Sequence, residues 1–314
     1  MIKVAKFGGT SLADSTQIRK VAGIIAKSDP AVVVVSAPGK RFPSDIKITD
    51  ILLDYAKTHD KSLVDAFAER VIAIEKDLSI SSRASDYIKE NYAEWKTADE
   101  AASRGEYVSG LIVSEYVKRD FLDPFDYIEI SDDSLTVCDA TYGALAKAID
   151  PNKKYVMPGF YGKGSDGKIK TFTRGGSDTT GSVVARAIKA DVYENYTDVS
   201  GVFNANPKLI EKAMPISELS YAALRSLAEN GTEVFCFSAI RPVENLIPIH
   251  VLNTNKPEEL GTKIVNNDSI RPEDASKPVA LTKNGNDVVV VCCDGTAKNL
   301  GACDIASQFD RIFG

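Results

Sequence analysis

Short β-rich runs alternate with apolar residues recurring every three or four positions. That is the pattern of a largely parallel sheet with helices on both faces. Residues 2–7 predict a first strand, and Ile18, Val21, Ala22 and Ile25 a helix after it. Residues 31–35 form a Val-rich run of the kind buried on both sides. Ile48, Ile51, Leu52 and Tyr55 mark the next helix, with Thr49 or Asp50 near its start. Residues 62–95 read as helical, and their stripe of Leu63, Phe67, Val71 and Leu78 reads as packing. Another helix follows Gly105, with Val108, Leu111 and Ile112 on one face. Residues 126–130 and 155–160 read as strands, and residues 168–173 as the second arm of a hairpin turning at 164–167. A helix through 182–188, a strand at 191–196 and a helix carrying Tyr221, Leu224 and Ala228 come next, with Gly231 as its stop. Residues 248–252 are the last clear strand of the main body.

After Val265 the texture changes. Residues 266–278 are polar and hold Pro272 and Pro278, so they read as a linker. Residues 279–281 and 288–292 are expected to pair around Asn284-Gly285, through a loop longer than two residues. Ile305, Phe309 and Ile312 suggest a short terminal helix.

Composition removes several classes of function. The net charge is −6 and no Lys/Arg block appears, so no nucleic-acid partner is expected. An anionic substrate would have to be drawn by local groups. The first ten residues lack the apolar run of a signal peptide, and no stretch approaches the ~20 apolar residues of a membrane span. A cytoplasmic protein is the expectation. Five cysteines (Cys138, Cys236, Cys292, Cys293 and Cys303) stand without a CxxC pair, which argues against a disulfide framework or zinc site. With only His59 and His250, a His base or multi-His metal centre is disfavoured.

Two segments carry chemistry. Lys6-Phe7-Gly8-Gly9-Thr10-Ser11 lies where the first strand ends and a helix should follow. Adjacent glycines let backbone N–H groups approach an anion, the helix N-terminus adds partial positive charge, and Lys6 supplies a full one. The lysine precedes the glycines, so this is not a GxxxxGK[ST] loop. TRGGSDTTG, residues 173–181, occupies a second strand–helix junction. There Arg174 could clamp a carboxylate bidentately. Gly175 and Gly176 expose amides, and Asp178 can orient a lysine or a metal. The plainer reading makes Ser177 or Asp178 an N-cap. Two Gly-Gly turns, each beside a cation, suggest a bipartite anion site. Ser36-Ala37-Pro38-Gly39 follows a buried strand, where α/β sheets present ligand loops. Glu106 sits where a helix dipole alone would favour an acid. Thr197 and Asp198 follow a strand and suit a ribose or adenine edge, or an Asx turn. Asn206-Pro207-Lys208 sets a lysine either near phosphates or in solvent.

Together, KFGGTS, VVVSAPGK with the later Thr49-Asp50, GEYVS, TRGGSDTTG, YTDVSGVF with NPK, and GTKI resemble the aspartate kinases of the amino-acid-kinase superfamily. The motifs run in order from Ile2 to Val265. The resemblance implies an α/β three-layer α/β/α sandwich with a mainly parallel sheet over residues 1–265. An aspartate-binding lobe would span about 1–165 and an ATP-binding lobe about 166–265. Residues 266–314 would be a linker and a truncated β-β-α tail resembling part of an ACT module, with weak feedback by lysine or threonine. The implied reaction moves the γ-phosphoryl group of ATP, which carries the Mg²⁺, to the side-chain carboxylate of L-aspartate. This is the first step toward lysine, threonine and methionine. Lys6 would stabilise the transferring phosphoryl group and Asp178 would organise the catalytic lysine. Ser36, Thr49, Glu106, Arg174, Gly175, Gly176 and Ser177 would bind aspartate, with Glu106 at its amine and Arg174 at its α-carboxylate. Lys6, Phe7, Gly8, Gly9, Thr10, Ser11, Thr197, Asp198, Phe203 and Lys208 would bind ATP. The resemblance implies no protein-held metal, and a homodimer. A carboxylate is already nucleophilic at neutral pH, so positioning and charge neutralisation suffice and a His base is not needed.

The sequence also departs from the family pattern. Asn206 stands for an aspartate, Lys208 for an arginine, and Phe203 for a tyrosine of the nucleotide loop. Glu233 replaces a lysine of the nucleotide site, which puts ATP affinity in question. A binding protein that kept the fold without turnover is the competing reading; Glu233, Phe203 and the short tail are its best support, and intact Lys6 and Asp178 oppose it.

Overall fold

The computed structural model describes residues 1–173, 175–232 and 237–314. Its centre is an eight-stranded sheet. In spatial order the strands are β3 (Asp120–Phe121), β4 (Tyr155–Pro158), β2 (Val32–Val35), β1 (Lys3–Phe7), β7 (Val192–Thr197), β9 (Ile249–Asn253), β10 (Thr262–Val265) and β8 (Glu218–Ser220). All neighbours pair parallel except β9 and β10. A separate hairpin joins β5 (Tyr161–Lys163) to β6 (Ile169–Thr171).

The expected α/β sandwich is present, and strand alternation builds it. Val32 and Val34 join one apolar cluster with Val4, while Val33 and Val35 join another with Ala5 and Phe7. The second cluster is roofed by α1 (Ser15–Ser28), α2 (Ile48–Thr58), α3 (Lys61–Leu78), α4 (Ala84–Asn91) and α5 (Ala98–Val117). The first is roofed by α6 (Ala140–Ala148), α7 (Gly176–Ala187), α8 (Tyr221–Glu229) and α9 (Phe237–Ile240). The period of two puts Lys6 on the Val4 face, toward α7. The Phe67, Val71 and Leu78 stripe of α3 is buried packing, as read.

Several expectations are corrected. Residues 126–130 do not form a strand. Asp123 accepts from the Phe125 N–H and Pro124 lacks a donor, which commits the chain to a 3-10 turn over Pro124–Asp126. Only single bridges remain, Glu129 to Lys163 and Ile130 to Val137. The helical stretch over 62–95 is broken, because Ser79 and Arg83 take left-handed backbone angles between α3 and α4. Short elements such as β3, β8, β10 and α6 escaped the pattern.

The tail also differs. β11 (Pro278–Asn284) and β12 (Asp287–Cys292) pair as far as Asn284 and Asp287. The turn is therefore the two residues Gly285-Asn286, with Gly285 at φ 60°. The strands run into polar residues that the apolar pattern could not count. β13 (Ala297–Asn299), whose residues are exposed, adds a third strand, so the tail is β-β-β-α with α10 (Ile305–Phe313). Both sheet faces are covered. Ala280, Val289 and Val291 join the main core, while Leu281, Val288 and Val290 pack with Ile305, Phe309, Ala205 and Ile210. Among the described residues, Cys138, Cys292, Cys293 and Cys303 are free thiols, and no helix is long and apolar enough to cross a membrane.

Candidate active site

Lys6 is the penultimate residue of β1 and is buried. Its register partners are Val34 on β2 and Asn195 on β7. Asp178 is the third residue of α7, whose N-terminus points its partial positive charge toward this end of the sheet. Lys6 Nζ lies 2.7 Å from Asp178 Oδ1. The Asn195 amide donates to the same oxygen at 2.6 Å. The Tyr193 hydroxyl donates to the Asp178 carbonyl at 3.3 Å, and burial, reinforced by the Asp178 charge, pushes that hydroxyl well above its ordinary range. The two Gly-Gly turns are thus brought together through one ion pair, with the lysine buried and the aspartate half-buried. The sequence reading missed Asn195. Its signal was a lone amide inside the buried run of β7, next to Lys6 only once the strands pair.

The first turn is tight. The Gly8 N–H is taken by the Tyr196 carbonyl at 3.1 Å, and Phe7 stacks on Tyr196 with ring centroids 4.7 Å apart. A Cβ on Gly8 would sit 3.6 Å from Lys6 Nζ, so the glycine keeps open the space beside the ammonium. Gly9, Thr10 and Ser11 begin a 3-10 turn, with Thr10 exposed and Ser11 buried. Ser11 Oγ and Thr254 Oγ1 share a hydrogen bond of 2.7 Å, and the Thr254 N–H donates to the Thr197 carbonyl at 2.9 Å. Thr254, also missed, therefore ties the first turn to the end of β7. Thr197 donates its hydroxyl to Asp198, an exposed side chain, at 3.2 Å.

The loop after β2 lies beside this turn. The Ser36 N–H donates to the Phe7 carbonyl at 3.2 Å, and Gly39 donates to Gly9 at 2.8 Å. Thr49 is the second residue of α2, half-buried. Glu106 comes from α5 and is buried, with Oε2 lacking a hydrogen-bond partner among the described residues. Burial pushes its carboxyl up to about 8, against the pull of backbone hydrogen bonds at Ala37 and itself, and of the Arg104 charge. An unpaired carboxyl in such a place is poised to meet a cation. Gly175 caps α7 with a left-handed backbone, φ 57°, and Gly176 and Ser177 are buried in its first turn.

Other expected residues stand apart or outside. Phe203 pairs with Pro215 in the connection after β7, and Lys208 is exposed on a turn where the Asn206 side chain accepts from its N–H at 2.9 Å. Among the described residues, no hydrogen bond or ion pair joins either to the Lys6–Asp178 group. Arg174, Glu233 and Cys236 lie outside the described residues.

Residues 1–253 match the model of the amino acid kinase family. The chain belongs to the amino acid kinase family. Within it, the chain is 34% identical to aspartokinase 3 of Bacillus subtilis over 289 residues, covering 84% of this chain and 63% of that protein. It therefore spans less than two thirds of the length of that relative. Among solved structures, the aspartate kinase of Clostridium acetobutylicum, described as allosteric, superposes with a TM-score of 0.82 at 37% identity, covering 91% of this chain and 67% of the other. Aspartokinase III of E. coli in complex with aspartate and ADP superposes at 0.75 with 25% identity, over 90% of this chain and 67% of the other. The family resemblance read from the motifs agrees with these relatives.

Proposed function

We propose that the chain catalyses transfer of the γ-phosphoryl group of ATP to the side-chain carboxylate of L-aspartate, giving 4-phospho-L-aspartate and ADP. The observation that carries this reading is the partly buried Lys6–Asp178 pair, 2.7 Å long, at the junction of both glycine turns. Its cation stands beside Gly8, where a side chain would occupy the space next to the ammonium. That cradle fits a polyphosphate. Mg²⁺ travels with the nucleotide as part of the co-substrate and supplies charge neutralisation when bound.

In this reading Lys6 faces the transferring phosphoryl group, and Asp178 with Asn195 fixes the direction of its ammonium. Gly9, Thr10 and Ser11 cradle phosphates, with Phe7 as the packed base of the turn. Thr197, Asp198, Phe203 and Lys208 serve the nucleotide. Glu106 receives the substrate ammonium, Arg174 the α-carboxylate, and Ser36, Thr49, Gly175, Gly176 and Ser177 the rest of the aspartate. Water is kept from Lys6 by burial under α7, which strengthens its field at the reacting group. The aspartate-binding lobe would span about 1–165 and the ATP-binding lobe about 166–265, each lending one glycine turn to the other's ligand, within a cytoplasmic homodimer, with 266–314 as a regulatory-like tail.

The test is an aspartate-dependent assay with Mg²⁺-ATP in which hydroxylamine traps the acyl phosphate. Aspartyl hydroxamate, with none from glutamate or N-acetylglutamate, is the expected outcome. Nucleotide binding with no hydroxamate from any of them would favour a binding protein that kept the fold. Adding lysine or threonine to the same assay tests the weak feedback expected of the tail.

A further inference from the structure

The apolar stripe of α3 explains its packing, yet the same helix buries a cation that the proposed reaction does not use. Arg70 is 8% exposed. Its Nη2 donates to the Ala13 carbonyl at 2.8 Å and also to the Gly39 carbonyl. Its Nη1 lies 3.6 Å from Asp45 Oδ2. Asp45 is itself gripped by Arg41, through the backbone N–H at 3.0 Å and through Nε and Nη2 at 2.8 Å each. Those hydrogen bonds hold the Asp45 carboxyl well below the usual carboxylate range.

The two carbonyls belong to different loops. Ala13 closes the 3-10 turn that follows Gly8-Gly9. Gly39 lies in the loop from β2 to α2, between Ser36 and Thr49. The loops also touch directly. The Gly39 N–H donates to the Gly9 carbonyl at 2.8 Å, and a Cβ on Gly39 would stand 2.5 Å from the Gly9 carbonyl carbon. Backbone meets backbone there, and one guanidinium from a third element joins both sides.

Stability alone accounts poorly for this arrangement. Burying a guanidinium carries a desolvation penalty of several kcal/mol, and well-packed apolar residues often replace buried ion pairs without loss, so about the same fold is attainable without it. Burial is also the main reason the Arg70 guanidinium gives up its proton more readily than usual, with the Arg41 charge second. Its Nε is buried without a hydrogen-bond partner among the described residues. What the guanidinium supplies, and an apolar side chain cannot, is a planar head whose Nη2 donates to both carbonyls while Nη1 faces Asp45.

We propose that Arg70 is a positioning residue, whose bridge from Ala13 to Gly39 sets the spacing between the Gly8-Gly9 turn and the loop that runs from Ser36 to Thr49 at the start of α2. In the reaction proposed above, on which this inference rests, that spacing is the distance between phosphoryl donor and acceptor carboxylate. Small misplacements there are expensive in rate.

The test uses Arg70→Met, Arg70→Lys and Asp45→Asn in the full chain. Arg70→Met is expected to lower kcat by about tenfold or more and to raise the aspartate KM several-fold, with the melting temperature nearly unchanged. Arg70→Lys, which keeps a cationic donor but loses the planar head that faces both carbonyls and Asp45 together, should fall between. A purely structural role would reduce the active fraction, lowering kcat while leaving the aspartate KM where it was; that result overturns the proposal. Should Arg70→Met fail to fold, Asp45→Asn decides, with an expected rise of about threefold in aspartate KM and an unchanged value counting against the bridge. Amide hydrogen exchange reads the bridge without turnover, so a wild-type chain inactive on aspartate would discard the reaction but not this inference. Residues 8–13 and 37–45 should lose protection together in the variant that folds. Protection kept in either segment overturns it.

Discussion

Two regions at the carboxyl end of the sheet hold their residues in different ways. Around Lys6, every group rides on a regular element and has a neighbour in register. β1 carries the lysine, α7 the aspartate and β7 the asparagine. Around Phe203 and Lys208, the chain between β7 and β8 is irregular, and its shape is borrowed from the tail. The Leu281 N–H donates to the Asn204 carbonyl at 2.8 Å, and Lys212 pairs with Asp310 at 3.1 Å. Ala205 and Ile210 pack against Leu281, Val288, Ile305 and Phe309. The neighbouring turn is tied in the same way, with Thr232 and Thr282 hydroxyls 2.9 Å apart. The first region is fixed by the parallel sheet itself. The second is fixed by residues far later in the chain, so it should fail separately.

The strongest break falls on the first region. Asp178→Ala removes the anion that orients Lys6 and leaves a buried ammonium unpaired. Turnover in the hydroxamate assay should drop by about 10²–10³. The melting transition should lose roughly 3 kcal/mol. Wild-type turnover in this variant would remove the pair from the mechanism.

The matching break in the second region is Phe309→Ala. Phe309 is 4% exposed and anchors α10 on the tail sheet. Its truncation should cost about 3–5 kcal/mol locally. The ATP KM should rise while kcat and the aspartate KM hold. An unchanged ATP KM, with the tail demonstrably loosened by hydrogen exchange, would mean that the connection between β7 and β8 supports itself or does not serve the nucleotide.

This contrast also explains what could be read from the sequence. The Val-rich strand, the amphipathic helices and both glycine turns were legible because each obeys a local period or a local backbone need. Lys6 and Asp178 could be named, but Asn195 and Thr254 could not. Their roles exist only after β7 and β9 pair beside β1, and single-sequence periodicity carries no pairing information. Residues 126–130 misled because their apolar count resembles a strand, whereas Asp123 and Pro124 had already spent the backbone on a turn. The tail turn misled for the opposite reason, since Asn284 and Asp287 pair despite being polar. Arg70 was invisible inside a stripe correctly read as packing.

Glu106 sharpens the comparison by giving the first region a pH signature that the second lacks. Its carboxyl is raised by burial from 4.5 to about 8. Below the unfolded value the group is protonated in both states. As pH rises through that window the unfolded chain ionises while the folded site stays neutral, so unliganded stability should fall until pH reaches about 8 and then level off. Glu106→Gln should flatten that slope. A substrate ammonium favours the ionised form, so aspartate binding at neutral pH should release close to one proton. Calorimetry in buffers of differing ionisation enthalpy reads that proton directly. Binding without proton release would place the ammonium elsewhere.

The smallest effect is expected at Lys208, and it tests whether an exposed loop cation contributes at all. Its side chain is exposed, and the Asn206 side chain fixes its backbone rather than its ammonium. A flexible point charge near a triphosphate, in high dielectric, is worth at most about 1 kcal/mol, and salt screens it over a Debye length of about 10 Å. Lys208→Ala should therefore raise the ATP KM by less than about fivefold at low ionic strength. The difference from wild type should vanish as salt is added. The loss at Asp178, paired with a buried lysine, should survive the same salt series because partly buried pairs are screened much less than exposed ones. If Lys208→Ala instead matched Asp178→Ala in size and salt resistance, the nucleotide loop would have to close over Lys208 during turnover. The difference between the two regions would then hold only for the unliganded protein.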